Sequence, residues 1–369
     1  MPSDEDFHFM TQAIVLANRG LFTTDPNPRV GCVLVKDNVT VGEGWHERAG
    51  GPHAEINALK QAGNKARGAT AYISLEPCCH HGRTPPCTDA LIEAGVSRVV
   101  GAMSDPNPAV SDQGYQQLEA AGVSVEKDIL QEKAEALNPG YLKRMREGRP
   151  YVRCKLAMSL DGRTAMASGE SKWITSESAR KDVHYLRARS SAIVTGIGTV
   201  QSDDPSMTAR LAEEDITEVQ QPLRVVLDTK LAMSDQARML GLDGDTLVIT
   251  ASTDKTAQEK LTNAGARIEV VAENNHHVDL QAVMKYLADN QVNEVLLEAG
   301  ATLSGAMLQA GLIDELIVYI APHLMGDNAR GLFHLPGINN MDQRIDLDII
   351  ETAPVGRDWK ITARPKLVS

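Results

Sequence analysis

The chain has 369 residues, more than one hydrophobic core usually supports, so two domains are expected ahead of one large α/β domain. Its composition is that of an ordinary folded protein, 42% hydrophobic and 23% charged, but only 4% aromatic, which leaves little surface for stacking single-stranded bases. A formal net charge of −12 excludes a broad phosphate-backbone footprint: no nucleic-acid partner is expected, and any phosphate must be met by local donors.

The first residues, MPSDEDFHFMTQAIVLANRG, carry acids where a secretory signal carries Lys or Arg, and no apolar run approaches the ~18 residues a spanning helix needs. A cytoplasmic protein without a membrane partner is expected. Phe9, Ala13, Leu16 and Ala17 recur at helical spacing between Asp6 and Arg19, and RVGCVLVKDNVTVGEGWH then predicts two strands joined at Asp37-Asn38. HAEINALKQAG reads as a helix stopped by Gly63, GATAYISLEP as a strand, and PPCTDALIEAG as a helix opened by proline and closed by Gly95. VSRVVGAMS, GYQQLEAAG and VSVEKD continue as strand, helix and strand. This alternation predicts a largely parallel sheet covered on both faces.

Residues 129–150 read as a helix broken at Asn138-Pro139-Gly140, then a basic helical segment ending at Gly148 and Pro150. The domain boundary is placed there, giving domains 1–147 and 148–369. The second domain alternates again, through YVRCKLAMSLDG, SARKDVHYLRARSSAIVTGIGTV, PLRVVLDTK, DTLVITAS, KLTNAGARIEVV, LQAVMKYLADNQVNEVLLEAG and LSGAMLQAGLIDELIVYIAP. There is no internal repeat, so the modules differ.

Of five cysteines, Cys32 and Cys154 sit in apolar strand-like runs and read as inert thiols, which leaves Cys78, Cys79 and Cys87. His53 follows Pro52 at a predicted helix start, with Glu55 two residues on. Positions i and i+2 do not share a helix face, so the pair suits a division of labour, His53 for a metal and Glu55 for protons. Cys78 ends a strand, and Cys87 opens the next helix, where the dipole favours thiolate. One His and two Cys leave a tetrahedral position open, the arrangement of a catalytic zinc that activates water; a closed structural site would recruit Cys79, His80 or His81 as a fourth ligand.

The pattern HAE followed by PC resembles the zinc-dependent nucleobase deaminases, whose signature is H-x-E…P-C-x-x-C, except that eight residues separate Cys78 from Cys87. With NPRVGCVLV before it and SDPNP after it, PCCHHGRTPPC is similar to the deaminase half of the bifunctional deaminase-reductases of riboflavin biosynthesis. The resemblance implies a cytidine-deaminase-like three-layer α/β/α domain with one Zn²⁺ on His53, Cys78 and Cys87, Glu55 as proton shuttle, and Asn27, His46, His80 and Arg83 holding the pyrimidine and ribose phosphate.

KLAMSLDGRTA, SGESKWIT and VTGIGTVQSDDPSMTAR resemble the reductase half of the same family, which implies a dihydrofolate-reductase-like α/β domain using NADPH. Ala157, Trp173, Thr199, Asp203, Thr229 and the glycine-bearing strand-to-helix loop of Gly300, Ala301, Thr302, Leu303, Ser304, Gly305 and Ala306 would contact the cofactor. Ser171, Arg187, Met207, Arg210 and Glu298 would line the substrate side, with Lys155 beside the ribosyl carbon; Met207 stands where the family leads one to expect Leu. Asp161-Gly162 also reads as a plain hairpin turn. The expected reactions are deamination and then ribosyl reduction of small phosphoribosylated pyrimidines, in a homodimer or higher homo-oligomer. Two alternatives are a nucleoside or tRNA deaminase with an accessory nucleotide-binding domain and a zinc-stabilised binding module.

Overall fold

The computed structural model describes residues 2–80, 85–108, 110–211 and 220–366. The chain divides into two compact units, Met1–Gly148 and Arg149–Ser369. In the first unit the elements are α1 (Asp4–Ala17), β1 (Gly31–Lys36), β2 (Val39–Trp45), α2 (Ala54–Ala62), β3 (Thr70–Ile73), α3 (Cys87–Glu93), β4 (Arg98–Gly101), α4 (Gln113–Ala120), β5 (Ser124–Glu126), α5 (Gln131–Leu137) and α6 (Pro139–Glu147). The strands form one sheet in the order β2-β1-β3-β4-β5.

Period-two alternation sorts this sheet's side chains into two cores. Val33, Val35, Tyr72 and Val100 pack with α1, α5 and α6 on one face, whereas Cys32, Leu34, Ala71, Ile73 and Val99 pack with α2, α3 and α4 on the other. The result is three layers, α/β/α. The sheet is not largely parallel, as the helix–strand alternation suggested. β1 runs antiparallel to both β2 and β3, and only β3-β4-β5 is parallel, because the turn at Asp37-Asn38 reverses the chain without a crossover helix.

The second unit contains β6 (Tyr151–Ser159), β7 (Arg163–Ala165), α7 (Glu177–Ala188), β8 (Ala192–Gly196), α8 (Ile197–Asp203), β9 (Leu223–Leu227), β10 (Thr246–Thr250), α9 (Lys255–Asn263) and β11 (Ala266–Val270). There follow β12 (Glu273–Asn274), β13 (His277–Val278), α10 (Leu280–Asp289), β14 (Glu294–Leu297), α11 (Ala301–Gln309), β15 (Glu315–Ala321), β16 (Arg330–Gly331), β17 (Leu347–Val355) and β18 (Asp358–Pro365). Nine strands order as β11-β10-β9-β8-β14-β6-β15-β18-β17, parallel up to β15 and antiparallel beyond it. Asp161-Gly162 does make a tight turn, but β7 pairs with β16 and not with β6, so there is no hairpin there. No helix among the described residues is long and apolar enough to cross a membrane.

Two close approaches set α2 against the sheet. A Cβ at Gly44 would stand 2.4 Å from the Ala54 carbonyl oxygen and 2.5 Å from the Ala58 nitrogen; one at Gly42 would stand 2.3 Å from the Ala58 oxygen. Only glycine lets the helix backbone lie this close. Gly44→Ala is therefore expected to lower the stability of the first unit by about 1–3 kcal/mol, read by chemical unfolding, with loss of hydrogen-exchange protection concentrated in α2.

Candidate active sites

His53 is the N-cap of α2, so the helix start that begins the Ala54–Ala62 run also aims its imidazole outward from the sheet end, while Glu55 turns inward and is buried. Cys78 lies beyond the end of β3 and is tied to the start of α3: the Cys87 N–H approaches its sulfur at 3.4 Å, and the Thr88 N–H donates to its carbonyl at 3.2 Å. His53 Nδ1 is 3.5 Å from Cys78 Sγ and 3.3 Å from Cys87 Sγ, and the three ligand atoms lie within 4.8 Å of one another. A tetrahedral zinc bound to sulfur at about 2.3 Å and to nitrogen at about 2.0 Å sets N–S edges of about 3.6 Å. The three side chains fit that ion, and among the described residues they are the one group of His, Cys, Asp and Glu with such geometry. Cys79 is not part of it.

The electrostatics divide the work. Burial pushes the Glu55 carboxyl up to about 7, against the pull of His53. Among the protein groups alone, the hydrogen bond from Cys87 brings the Cys78 thiol down to about 4 despite burial, and His53 adds to this. His53 in turn is raised, chiefly by its bond to Cys78. Asn27 Nδ2 lies 3.1 Å from His46 Nε2, while His46 Nδ1 faces the Pro52 carbonyl at 3.0 Å. The carbonyl takes the ring proton at Nδ1, so Nε2 accepts from Asn27 and the Asn27 carboxamide is oriented. Burial lowers the His46 pKa and keeps the ring neutral. The His46 and His53 rings meet edge to face at 5.4 Å, so Asn27, His46 and the metal-type cluster are contiguous.

His80 lies near Asp105, and Arg83 falls outside the described residues. Glu76 has a part that sequence reading missed. Its carboxylate accepts from the N–H groups of Asp105 at 2.9 Å, Asp112 at 3.0 Å and Gly114 at 2.9 Å, pinning the segment before Cys78 to the loop after β4. Its place two residues before Cys78 was the available signal.

In the second unit, alternation along β6 sends Cys154 and Leu156 into one core and turns Lys155 toward the α7 face. Lys155 Nζ lies 5.9 Å from the centre of the Tyr319 ring. Arg187 of α7 binds Glu298 through two nitrogens, at 2.6 and 2.9 Å, and donates to the Thr208 carbonyl at 3.1 Å. Burial pushes the Lys155 pKa down, with Glu298 opposing and Arg187 adding to the effect. Burial alone would raise Glu298, but Arg187 and Lys155 outweigh it and the carboxyl stays below its usual value. Arg210 approaches the same face of α7 through His184, a residue that sequence reading passed over although it stands three before Arg187.

The remaining positions are distributed around this centre. Ala157 lies on β6, Thr199 and Asp203 on α8, and Ser171 and Trp173 in the loop before α7. Trp173 is 70% exposed with the Arg180 guanidinium 4.7 Å above its ring. Thr229 follows β9, and its hydroxyl accepts from the Val278 N–H at 3.3 Å. Met207 has φ +49°, and its side chain is buried in the core beneath α7, so of the substrate-side set its side chain is the one drawn inward. Residues 300–306 are not a loop: Gly300 is the N-cap, and Ala301–Gln309 is helical. The run ATLSGAMLQ is helix-compatible, and Gly305 is needed there because a Cβ would meet the His334 carbonyl oxygen at 2.0 Å. The donors this segment offers are the unpaired N–H groups of the first turn.

Residues 3–103 match the cytidine and deoxycytidylate deaminase zinc-binding region, and residues 150–361 match the RibD C-terminal domain. The chain is therefore a zinc-binding deaminase joined to a reductase. It is 50% identical over 362 residues to riboflavin biosynthesis protein RibD of Escherichia coli (strain K12), covering 96% of this chain and 98% of that protein. The solved structure of Acinetobacter baumannii RibD, form 1, superposes with a TM-score of 0.92 at 46% identity, covering 98% of this chain and 99% of that one. A Thermotoga maritima structure described as a diaminohydroxyphosphoribosylaminopyrimidine deaminase/5-amino-6-(5-phosphoribosylamino)uracil reductase superposes at 0.84 with 31% identity, covering 98% and 99%. The chain belongs to the RibD family, the bifunctional deaminase/reductases of riboflavin biosynthesis.

The Arg187–Glu298 pair is the electrostatic anchor of the second unit's site. Glu298→Ala leaves Arg187 and Lys155 together without their carboxylate, and thermal unfolding of that unit is expected to show a loss of about 3 kcal/mol.

Proposed function

We propose that the first unit hydrolyses the 2-amino group of 2,5-diamino-6-ribosylamino-4(3H)-pyrimidinone 5′-phosphate and that the second reduces the ribosyl group of the deaminated product to ribityl with NADPH. The observation that carries the first half is the convergence of His53, Cys78 and Cys87 beside a buried carboxyl, Glu55. His53, Cys78 and Cys87 would hold the ion through one nitrogen and two sulfurs, and zinc bound there would supply an activated water at neutral pH. Glu55 carries a proton to the pyrimidine ring nitrogen and on to the departing amine; its burial keeps its affinity for a proton close to what that transfer needs. Asn27, fixed by His46, orients the ring, and His80 takes the phosphoribosyl end, a part the family resemblance also gives to Arg83, which lies outside the described residues. The eight residues between the cysteines provide contacts that a two-residue spacing has no room for.

In the second unit, bound NADPH would supply the hydride that reduces the ribosyl C1′. The first turn of α11, Thr199, Asp203, Ala157, Thr229 and Trp173 bind the cofactor, while Ser171, Arg187, Arg210 and Glu298 receive the substrate, with Met207 contributing through its backbone. Lys155, a partly buried cation with a depressed pKa, donates a proton to the ribose ring oxygen as the sugar opens. A cytoplasmic location follows from these small, phosphorylated, charged substrates. The nucleoside or tRNA deaminase reading is the weaker one, since the Arg187–Glu298–Lys155 cluster would then have no task.

Glu55→Ala is expected to abolish ammonia release from the pyrimidine phosphate, by at least about 10²-fold, while metal analysis still finds one zinc per chain. Retained turnover would remove Glu55 from the chemistry, and loss of zinc would make it structural. The reductase assignment stands on NADPH absorbance: oxidation must require the deaminated substrate, and a folded chain that oxidises none refutes it.

The chain also associates with itself. β17 is the outermost strand of its sheet, and Leu347, Ile349 and Ile350 on it are 46%, 64% and 50% exposed. An apolar, unpaired edge of this kind is a pairing surface. Ile349→Lys is expected to convert a sedimenting homo-oligomer into monomers; an unchanged mass, or a monomeric parent chain, overturns this.

A further inference from the structure

β6 carries Lys155 between two neighbours in the sheet, β14 on one side and β15 on the other, and α7 packs across the face to which Lys155 turns. Toward β14 stands Glu298, held at two points by Arg187 of α7. Toward β15 stands Tyr319. Ile317 pairs with Lys155 and Tyr319 pairs with Ala157, so period-two alternation turns all four side chains to one face of the sheet. Tyr319 is fully buried there, and its hydroxyl donates to Asp182 Oδ2 at 2.6 Å. α7 thus tethers what flanks Lys155 on both sides, through Arg187 to a carboxylate and through Asp182 to an aromatic ring.

The tether on the ring side is electrically quiet. Lys360 of β18 donates to the same Asp182 oxygen at 3.0 Å, so the carboxylate's charge is answered locally. What Lys155 meets on this side is the ring: its Nζ lies over Tyr319, 5.9 Å from the centre. An aromatic face attracts an ammonium through its quadrupole and takes none of the three N–H groups, whereas a second carboxylate would bind them. Burial, and then Asp182, push the Tyr319 pKa far up, so the phenol keeps its proton and does not titrate beside Lys155. The other charged and titratable groups around the ammonium are Glu298, Arg187 and Cys154, with Asp182 and Lys360 beyond the ring.

We propose that Tyr319 is a positioning residue for the reduction: its ring, anchored to α7 by Asp182, confines the Lys155 ammonium to the orientation in which its N–H groups serve the opening sugar. This rests on the reading that Lys155 donates a proton to the ribose ring oxygen. With no exposed surface, Tyr319 reaches neither substrate nor cofactor and acts through Lys155.

The test follows NADPH oxidation by the full chain with the deaminated 5′-phosphate as a function of pH. Tyr319→Leu removes the ring. It is expected to lower kcat about tenfold while KM for the substrate and for NADPH stays within about twofold. It is also expected to move the alkaline fall of kcat about half a pH unit lower, because the lost ring had favoured the charged ammonium. Tyr319→Phe keeps the ring and gives up only the anchor: the alkaline fall returns to its parental pH and most of kcat is recovered. If the Leu variant does not accumulate, Tyr319→Met, which also lacks a ring, replaces it. Equal losses of kcat in the Leu and Phe variants with the alkaline fall unmoved make Tyr319 a packing residue and overturn the proposal, as does a rise in KM in place of a fall in kcat. Lys155→Met separates the two layers of inference. If it keeps both turnover and the alkaline fall, Lys155 is not the acid and the underlying reading fails; if it loses them while Tyr319→Leu behaves as the parent, only the part given to Tyr319 is wrong.

Discussion

A strand buried on both faces has no room for polar chemistry except at its ends, and that constraint organises both units. β1, β3 and β4 send successive side chains into two separate cores, as do β8 and β14. Functional groups are therefore displaced to the turns where strands give way to helices. Cys78 and Glu76 follow β3, His53 precedes α2, Glu298 follows β14, and Thr199 lies in the first turn of α8, three residues beyond the end of β8. Helix starts also supply free N–H groups, so the same turns that must be polar are the ones that can receive anions and metals.

Lys155 is the exception that shows how strong the constraint is. It lies within β6, where alternation turns it to the α7 face, and there it would be an unpaired, partly buried cation. Glu298 answers it electrostatically, and Arg187 in turn binds Glu298 at two points. The cluster is a balanced set: two cations and one carboxylate within the protein leave a net positive pocket in a chain whose overall charge is −12. In the proposed reading an anionic substrate completes that balance locally, which would let an acidic protein accept a phosphate without a basic surface.

In the first unit the comparable device is backbone-based. Glu76 takes two main-chain N–H groups from the loop after β4 and one from the first turn of α4, and the start of α3 holds Cys78 through both its sulfur and its carbonyl. Two of the proposed metal ligands thus come from rigid helix starts, and the third is clamped to one of them. Pre-positioning of this kind leaves little to be ordered when an ion binds. The Asn27–His46–Pro52 chain does the same for the proposed ring-binding side, fixing a tautomer through a carbonyl and thereby the orientation of a carboxamide.

Much of this was readable from the linear chain, because it depends on local spacing. The helix from near Asp6, the break at Asn138-Pro139, the strands of both sheets up to β15, and the H-x-E and widely spaced cysteine pattern are all properties of neighbouring residues. The errors were errors of pairing. β1 turned out antiparallel to its neighbours because helix–strand alternation says nothing about direction, and the Asp161 turn joined no hairpin because β7 found a partner at β16, far along the chain. Residues 300–306 looked like a glycine loop, yet Gly305 is there to admit the His334 carbonyl against a helix. The final hairpin, β17 with β18, went unread, although Gly356 at its turn carries φ +62°. What residues 53, 78 and 87 are was decided by the sequence; that their ligand atoms lie within 4.8 Å was decided by tertiary structure, as was the neighbourhood of Lys155, Arg187, Glu298 and His184. The reason is physical: periodicity specifies which face a side chain takes, whereas proximity between faces depends on how strands order in a sheet, and that order is settled only when the whole core packs.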